Sequence, residues 1–405
     1  MLQQAWAGID IGKGHHHAVV IDSEGTRLIS RRVVNDEADP ASLIAQVSGL
    51  ADEVTWAVDM ITGGAALLLA LLATRAQHVL YISSTMVNRA ADGYRGQGKT
   101  DARDAAVIAD QARMRRGLTP LRVDDDLVAE LRMLVARRGD LVADRTRAVN
   151  RLREQLLAIC PALERALDVT NKGPLVLLTG FCTPDAIRRA GPVRLEQWLR
   201  KHGAARGAAN LAARAAHAAA SQTTTLPGEQ VAALLVAQLA EGVMTLNEQI
   251  TATDKLIEGR FHRHDLADVI ISMPGIGVVL AAEFLAATSG DMTLFASADH
   301  LASYAGLAPA PRDSGRISGN LHRPHRYHRG LQRVFYTSAL ISIQRNPESR
   351  RFYDRKRREG KLHTRARPGP TPRQRPVGPD PRPTPLPTHT SPSPSLLTRS
   401  LDKRH

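Results

Sequence analysis

The stretch WAGIDIGKGHHHAVVID, residues 6–22, decides how the first part of the chain folds. Its first apolar run, WAGIDI, contains Asp10, and a second apolar run, HAVVID, follows a turn that contains glycine. Two short apolar runs joined by such a turn are typical of a β-hairpin. The stretch therefore predicts two antiparallel strands, with Asp10 at the end of the first and His15, His16 and His17 in the turn.

The residues that follow alternate between the patterns of strands and helices. They predict a third strand, RLISRRVV (27–34), then a helix in PASLIAQVSGL (40–50), a buried strand VTWAV (54–58), a helix in GGAALLLALLATR (63–75), a strand HVLYIS (78–83) and a helix in DARDAAVIADQARMRRG (101–117). Strands first and then alternating helices and strands favour a mixed sheet covered by helices. The sequence thus predicts an α/β domain over residues 1–120.

The composition points to a polyanionic partner. The chain has 405 residues, a formal net charge of +14 and a sequence pI of about 10.4, and an excess of this size favours nucleic acid. The longest apolar run, ALLLALLA at residues 66–73, is far shorter than the roughly 20 residues of a membrane span. The N-terminus does not have the pattern of a signal peptide, and two cysteines make no disulfide or zinc framework. We expect a reduced, intracellular protein without a membrane segment.

A long charged helix is predicted after the first domain. Residues spaced by three and four form a seam that two arginines interrupt, namely Val128, Leu131, Val135, Arg138, Val142, Arg145, Val149, Leu152, Leu156 and Ile159. This spacing is typical of a coiled coil, and the helix could equally form a dimer stalk or lie on its own protein. The predicted organisation is a coiled-coil helix at 121–168, a helical linker region at 169–262, a mainly α C-terminal domain at 263–367 and a Pro-rich tail at 368–405.

Four aspartates of the first domain are candidates for one site. Asp10 and Asp59 come at the ends of predicted strands, and Asp101 and Asp104 lie one turn apart at the start of a predicted helix. Taken alone, the helical pair could simply be favourable first-turn acids, with Thr100 or Asp101 as the N-cap. Four carboxylates meeting at one sheet edge would repel each other, whereas two Mg²⁺ ions would use them as ligands for phosphodiester chemistry.

Three segments resemble the RuvC-like, RNase H-like domain of DEDD transposases of bacterial insertion sequences, the bridge-RNA-guided recombinases. They are GIDIGKGHHHAVVID (8–22), VTWAVDMITGG (54–64) and GQGKTDARDAAVIA (96–109). The resemblance covers residues 5–116 and 264–365. It implies that Asp10, Asp59, Asp101 and Asp104 bind two Mg²⁺ ions, although the family usually has Glu in place of Asp59. It also implies DNA and a noncoding guide RNA as partners, a homodimer or homotetramer, and a bacterial, nucleoid-associated location in the cytoplasm.

The C-terminal domain contains a second set of candidates. ISMPGIGVVLAAEFLAAT (271–288) predicts a helix-hairpin-helix-like element, in which the backbone at Gly275 and Gly277 would suit a phosphate; a plain packing turn explains the pattern equally well. The resemblance makes Ser314, followed by Gly315, the nucleophile on DNA. Arginines near this serine could contact phosphate or stabilise its charge in the transition state: Arg312, Arg316, Arg323, Arg326 and Arg329.

Three alternative functions compete with transposition. A RuvC-like hydrolytic junction nuclease would use the aspartates to activate water and would leave Ser314 without a role. An actin-like or sugar-kinase fold could use GIDIGKG near a phosphate, but it would require Gly-rich adenosine loops that the sequence does not show convincingly. An inactive nucleic-acid-binding remnant would agree with Asp59 and with the unusual tail. A covalent protein–DNA adduct would separate a serine recombinase from the hydrolytic nuclease.

The tail differs from the rest of the chain in composition. Eleven of the 23 prolines fall in residues 368–405, which is too many for a helix. The genetic code permits the segment PRQRPVGPDPR to be read one base out of phase as His-Val-Asn-Val-Leu-Trp-Ala-Leu-Ile-Arg, a sequence suited to the apolar helix that the family has at this place. We therefore interpret the tail as the product of a shifted frame.

Deleting residues 368–405 should leave the melting temperature unchanged, because a Pro-rich segment buries too little apolar surface to offset the entropy of ordering it. Thermal denaturation of the full and shortened chains measures this, and limited proteolysis should remove the tail first. A fall of several degrees on deletion would show that the tail packs on the protein.

Overall fold

A computed structural model describes residues 2–94, 98, 100–121, 126–311, 313–315, 319–322 and 324–360. The tail at 368–405 lies outside the described residues, as do Arg312, Arg316 and Arg323. The chain divides into two compact units, residues 1–124 and 125–405, and each is described by itself.

The first unit is built on a six-stranded mixed sheet. Its strands are β1 (Leu2–Asp10), β2 (His15–Ile21), β3 (Arg27–Val34), β4 (Ala51–Val58), β5 (His78–Tyr81) and β6 (Thr119–Pro120), in the spatial order β3-β2-β1-β4-β5-β6. β1, β4 and β5 run parallel, whereas β2, β3 and β6 are antiparallel to their neighbours. The predicted mixed sheet covered by helices is therefore confirmed.

Helices cover both faces of this sheet. They are α1 (Ala38–Ser48), α2 (Ala66–Thr74), α3 (Ser84–Ala91) and α4 (Asp101–Met114), with a short 3-10 helix at Gly63–Ala65. Alternation along β2 assigns the faces, since Ala18 and Val20 pack in the core with α1 and α2, while Val19 and Ile21 pack against α4. The central strand β1 is buried on both faces, which explains its continuous apolar run.

Two short elements and one turn differ from the sequence predictions. α3 and β6 were not predicted, because α3 has only eight residues and β6 only two, too few for a clear period. The assignment of His15, His16 and His17 to the hairpin turn is wrong, since all three lie on β2, paired with Val34, Val33 and Arg32 of β3. The pairing of β2 with β3 extends the strand through residues whose polarity suggested a turn.

The second unit is helical. In its described part the helices are α5 (Asp126–Ile159), α6 (Pro161–Ala166), α7 (Lys172–Gly180), α8 (Pro184–Lys201), α9 (Ala208–Ala220), α10 (Glu229–Phe261), α11 (Ala267–Ile271), α12 (Val278–Thr288), α13 (Ala298–Tyr304), α14 (Arg329–Arg345) and α15 (Pro347–Arg358). A 3-10 helix at Met292–Leu294 and a two-stranded ribbon of β7 (Ala310–Pro311) and β8 (Leu321–His322) are also present there. One core joins the C-terminal half of α5 to α6–α10, and another joins its N-terminal half and the end of α10 to α11–α14.

The two longest helices, α5 and α10, pack along each other within the chain. The arginines that interrupt the seam of α5 meet polar partners on α10: Arg138 contacts Asp254 at 2.5 Å, and the Nε of Arg145 donates to the side-chain oxygen of Asn247. Among the described helices, α10 alone is long and apolar enough to cross a membrane, judged by length and composition. It packs along α5 and buries Val236, Ala240 and Val243, while Val231, Leu234 and Leu256 are exposed.

Helix α4 approaches β1 so closely that only glycine fits at residue 8. A Cβ atom on Gly8 would lie 2.2 Å from the carbonyl oxygen of Ala105 and 2.3 Å from the backbone nitrogen of Ala109. Both atoms belong to the backbone of α4 and cannot rotate away. The absence of a side chain at Gly8 therefore sets the distance between α4 and the sheet.

Replacing Gly8 by alanine should destabilise the fold by about 1–3 kcal/mol or more, because the added methyl group forces backbone apart. Gly14→Ala is the matched control, since a Cβ there meets no atom within 4 Å. Thermal denaturation should show a large fall in melting temperature for Gly8→Ala and little change for Gly14→Ala. Equal melting temperatures would show that α4 does not pack on β1 as described.

Candidate active site

The acidic residues of the first unit collect at one edge of the sheet, where the parallel strands end. Asp10 is the last residue of β1, and Asp59 directly follows β4. Ile9 and Val58 are register partners in the β1–β4 pair, so the two aspartates leave the sheet side by side. The backbone N–H of Ile11 donates to Oδ1 of Asp59 at 3.2 Å, which connects the two strand ends directly.

The other two aspartates reach this edge on α4. Asp101 is the first residue of the helix, and the side chain of Thr100 accepts a hydrogen bond from the backbone N–H of Arg103, so Thr100 is the N-cap. The helix dipole favours Asp101 and Asp104 in this first turn. Asp104 is close enough to Asp59 for its charge to raise the pKa of the Asp59 carboxyl. The predicted aspartates are thus brought to one edge of the sheet.

The surroundings of Asp59 disfavour a charge on its carboxyl. Burial raises the pKa of its carboxyl, and the charge of Asp104 adds to the rise, whereas hydrogen bonds from Ile11 N–H and the Ser84 hydroxyl oppose it. The Ser84 hydroxyl donates to Oδ2 of Asp59 at 3.3 Å. The ionised Asp59 carboxylate therefore reduces the stability of the metal-free fold.

His15 makes a contact with this site that sequence reasoning missed. Its Nε2 lies 3.5 Å from Oδ2 of Asp101. On the other side of the ring, the guanidinium of Arg32 lies 2.8 Å from Nδ1. Because an arginine can only donate, Nδ1 accepts and the ring proton is on Nε2, facing Asp101. Arg32 thus holds the His15 ring so that its Nε2–H group faces the carboxylate of Asp101 at the start of α4.

Ser84 was also missed, although its position carries a signal. It comes just after β5, and the carboxyl ends of parallel strands meet at the same edge of a sheet. Polar residues that follow a predicted parallel strand could therefore have been added to the candidates. His15 carried no comparable signal, because its partners come from β3 and α4.

The chemistry of this edge suits a hard cation. Carboxylate oxygens are the ligands that Mg²⁺ prefers. Burial, with the charge of Asp104, raises the pKa of the Asp59 carboxyl, and a cation there would favour its ionised form. Among the residues that the structure describes, no group of three or more His, Cys, Asp or Glu side chains is close enough together to hold a metal ion. The donor atoms fit Mg²⁺ in kind, and binding would require the carboxylates to draw closer.

Ser314, the candidate nucleophile, lies in the second unit, on the exposed loop of the β7–β8 hairpin. Oδ1 of Asp313 accepts a hydrogen bond from the backbone N–H of Asn320 at 2.8 Å, which closes the loop across the serine. Gly315 and Gly319 have φ values of +50° and +77°, a region that favours glycine. The hairpin thus presents the Ser314 hydroxyl to solvent.

His328, the N-cap of α14, follows this hairpin in the sequence. Its Nδ1 accepts the N–H of Leu331 and caps α14, its ring stacks on Tyr304, and burial lowers the pKa of the imidazole. The neutral ring suits the role of an N-cap acceptor. Of the candidate arginines in the described part of the chain, Arg326 and Arg329 are both exposed, and Arg329 begins α14.

The Pro-Gly-x-Gly turn lies between α11 and α12 as predicted, but a packing role accounts for its first glycine. Gly275 has a φ of +78°, and a Cβ there would lie 2.2 Å from the carbonyl oxygen of Ser338 on α14. The hydroxyl of Ser338 donates to the carbonyl oxygen of Pro274. Gly277, at the N-terminus of α12, is exposed. Gly277 is therefore the better placed of the two glycines for a phosphate.

An α/β unit with aspartates gathered at the ends of its parallel strands, in a chain of net charge +14, has the make-up of an enzyme that acts on nucleic acid. Comparison with known families agrees. Residues 7–161 match a transposase family of the DEDD, IS110 type, and residues 267–354 match the family described as Transposase IS116/IS110/IS902.

Three relatives extend this similarity over most of the chain. The 42 kDa protein of insertion element IS900 from Mycobacterium paratuberculosis is 57% identical over 90% of this chain and 92% of its own length. The 44.8 kDa protein of IS116 from Streptomyces clavuligerus is 50% identical over 89% and 90%, and the 43.6 kDa protein of IS110 from Streptomyces coelicolor is 37% identical over 89% of both.

The chain therefore belongs to the IS116/IS110/IS902 family of insertion-sequence transposases, enzymes that cleave DNA and transfer its strands. The DEDD type implies an RNase H-like fold for the first unit and a dependence on divalent metal, typically Mg²⁺. Hydrolytic junction cleavage is not favoured by these similarities.

Replacing Asp59 by asparagine should raise the melting temperature at neutral pH in EDTA. The pKa of Asp59 is raised in the folded state, so the folded protein binds more protons than the unfolded chain and loses stability as pH rises from about 4 through the raised pKa. Asparagine carries no charge, and the Ser84 hydroxyl can rotate to accept from its amide.

The gain in melting temperature of Asp59→Asn over the wild type should therefore grow between about pH 4 and neutrality. Asp52→Asn, which removes an exposed carboxylate at the other end of the same strand, is the control and should show little such growth. A pH-independent difference for Asp59→Asn would contradict the burial of this charge.

Proposed function

We propose that this transposase cuts and rejoins DNA with two sets of residues, the acidic quartet of the first unit and the serine hairpin of the second. The acidic quartet is Asp10, Asp59, Asp101 and Asp104. The observation that supports it best is the convergence of two strand ends and one helix N-terminus, all acidic, at a single sheet edge in a member of a DEDD-type family. The quartet would hold Mg²⁺, which would supply positive charge to a phosphate in the transition state.

Ser314 is the proposed nucleophile. Its hydroxyl oxygen would form a bond to phosphorus while the bond from phosphorus to one bridging oxygen of the DNA breaks, and the serine proton would leave as the departing oxygen gains one. The phosphodiester energy is thereby kept in a covalent protein–DNA bond, which a second DNA end can attack. Ser314 is exposed on a loop that turns at Gly315 and Gly319. This exposure supports the role, because a DNA backbone must reach the hydroxyl.

The basic residues around the serine would contact phosphate. Arg326 and Arg329 are exposed and follow the hairpin in the sequence, and Arg312, Arg316 and Arg323 are their sequence neighbours. Gly277 is proposed as a backbone contact and Gly275 as the residue that fixes its turn. Guide RNA binding and assembly into a homodimer or homotetramer are proposed on the family resemblance, and the net charge of +14 is consistent with a second nucleic acid.

We further propose that the quartet of one subunit works beside Ser314 of another. Joining two DNA ends requires at least two sites held together, which a symmetric assembly supplies. Asp104 and Ser314 belong to different compact units, so the quartet and the serine of one working site could come from two different subunits.

Asp104→Asn protein and Ser314→Ala protein should each be inactive alone and should regain DNA cleavage when mixed. The first variant loses a ligand charge with little change in shape, the second loses the nucleophile, and some mixed assemblies contain one intact site. Cleavage of DNA carrying the element ends is measured together with the protein–DNA adduct on denaturing gels. Asp110→Asn, on the same helix and outside the quartet, is the matched control and should remain active.

Two results would contradict these proposals. If the mixture co-assembles by crosslinking and still does not cleave, the site is built within one chain. If Ser314→Ala alone cleaves as the wild type does, without any adduct, the serine is not the nucleophile. If Asp104→Asn is as active as the wild type, the acidic quartet is not required for cleavage.

A further inference from the structure

The two loops that carry the first acidic residues touch each other through their backbones. The β1–β2 turn begins just after Asp10, and the loop that leads to the 3-10 helix begins at Asp59. A Cβ on Gly64, in the 3-10 helix to which the second loop leads, would lie 2.7 Å from the carbonyl oxygen of Gly12 in the first loop. The contact therefore requires glycine at residue 64, and a shift of either loop would move an acidic residue.

Asn35, which directly follows β3, binds both loops with one side chain. Its Nδ2 donates to the carbonyl oxygen of Lys13 and to that of Gly64, each at 3.2 Å. Its backbone N–H also donates to the carbonyl oxygen of Gly14 at 3.2 Å. Asn35 thus fixes the turn after Asp10 relative to the loop after Asp59.

His16 holds the same turn from inside the fold. Its side chain is 1% exposed, and its Nδ1 accepts the backbone N–H of Gly12 at 3.3 Å. Because Nδ1 accepts, the ring proton is on Nε2. Burial lowers the pKa of the His16 imidazole, and the side chain of Asn35 opposes this as a hydrogen-bond partner. The ring is therefore a neutral one that faces Asn35.

The remaining polar atoms of this pair complement each other. Nε2 of His16 and Oδ1 of Asn35 are both buried, and neither meets the strict geometry of a hydrogen bond with another atom. One is a donor and the other an acceptor. A buried polar atom left unsatisfied costs about 1–3 kcal/mol, so a small adjustment that joins the two atoms is favourable.

We propose that His16 and Asn35 form a buried polar clamp that fixes the loops after Asp10 and Asp59 relative to each other, so that the two carboxylates can close on a divalent cation. The clamp rests on the proposed function, because it serves the acidic quartet. Neither residue is a ligand or a catalytic group; both are positioning residues that act through the backbone of Gly12 and Gly64. Residues that orient metal ligands in this way typically change metal affinity by about 10–100-fold when replaced.

Four variants separate the two contacts of His16 and remove the clamp. His16→Asn keeps an acceptor for Gly12, His16→Gln keeps a donor for Asn35, His16→Phe removes both at similar volume, and Asn35→Ala removes the other half. The melting temperature of the full chain is measured in EDTA and over a series of Mg²⁺ and Mn²⁺ concentrations. The metal midpoint is the dissociation constant obtained by fitting the rise in melting temperature to its logarithmic dependence on metal concentration.

His16→Phe and Asn35→Ala should each raise the metal midpoint about tenfold or more. The double variant should raise it by no more than about the larger single effect, because both changes break one clamp. Val47→Ala is the control, since Val47 is fully buried on α1. It should lower the melting temperature in EDTA and leave the metal midpoint unchanged.

The outcomes distinguish the clamp from the function it serves. If the wild-type chain responds to metal and the clamp variants keep its midpoint within twofold while melting earlier in EDTA, the residues are merely structural and the inference is wrong. If the wild-type chain shows no response to metal and Asp59→Asn shows none either, the proposed metal site fails and the clamp with it. Should His16→Phe not fold, unchanged midpoints in both His16→Asn and His16→Gln would overturn the inference.

Discussion

The backbone contact between α4 and β1 at Gly8 is the constraint on which the first unit depends. With no side chain at that residue, the helix lies directly against the central strand, so its N-terminus reaches the edge where β1 and β4 end. Asp101 and Asp104 are then neighbours of the residues that leave those strands. A larger residue at Gly8 would lift the helix and separate Asp101 and Asp104 from the strand ends.

The sequence predicts this unit well where patterns are long and local. The hairpin of β1 and β2, the buried β4 and the acidic start of α4 all follow from period, composition and capping. α3 and β6 could not be predicted in this way, because both are short. β6 is a strand through its pairing with β5. His16 shows the same limitation: a histidine in a polar run suggests a turn, and only the folded structure reveals that its buried ring accepts the backbone N–H of Gly12.

The long helix α5 of the second unit is also only partly predictable from the sequence. The seam of α5 could be predicted from its spacing, but the two arginines within it made the partner ambiguous. Asp254 and Asn247 on α10 resolve the question for this surface, since they supply the acceptors that the arginines need within the same chain. The residues that decide the matter are more than 100 positions away in sequence, so no local pattern could reveal them.

The surroundings of the aspartates affect the stability of the fold when no metal is bound. Asp101 and Asp104 lie in the first turn of a capped helix, where the dipole favours acids, and His15 adds an N–H beside Asp101. Asp59 has two hydrogen-bond donors, but burial and Asp104 outweigh them. The buried charge of Asp59 is thus a source of instability in the fold. A cation bound there would remove it, which couples metal binding to the stability of the two loops that His16 and Asn35 hold together.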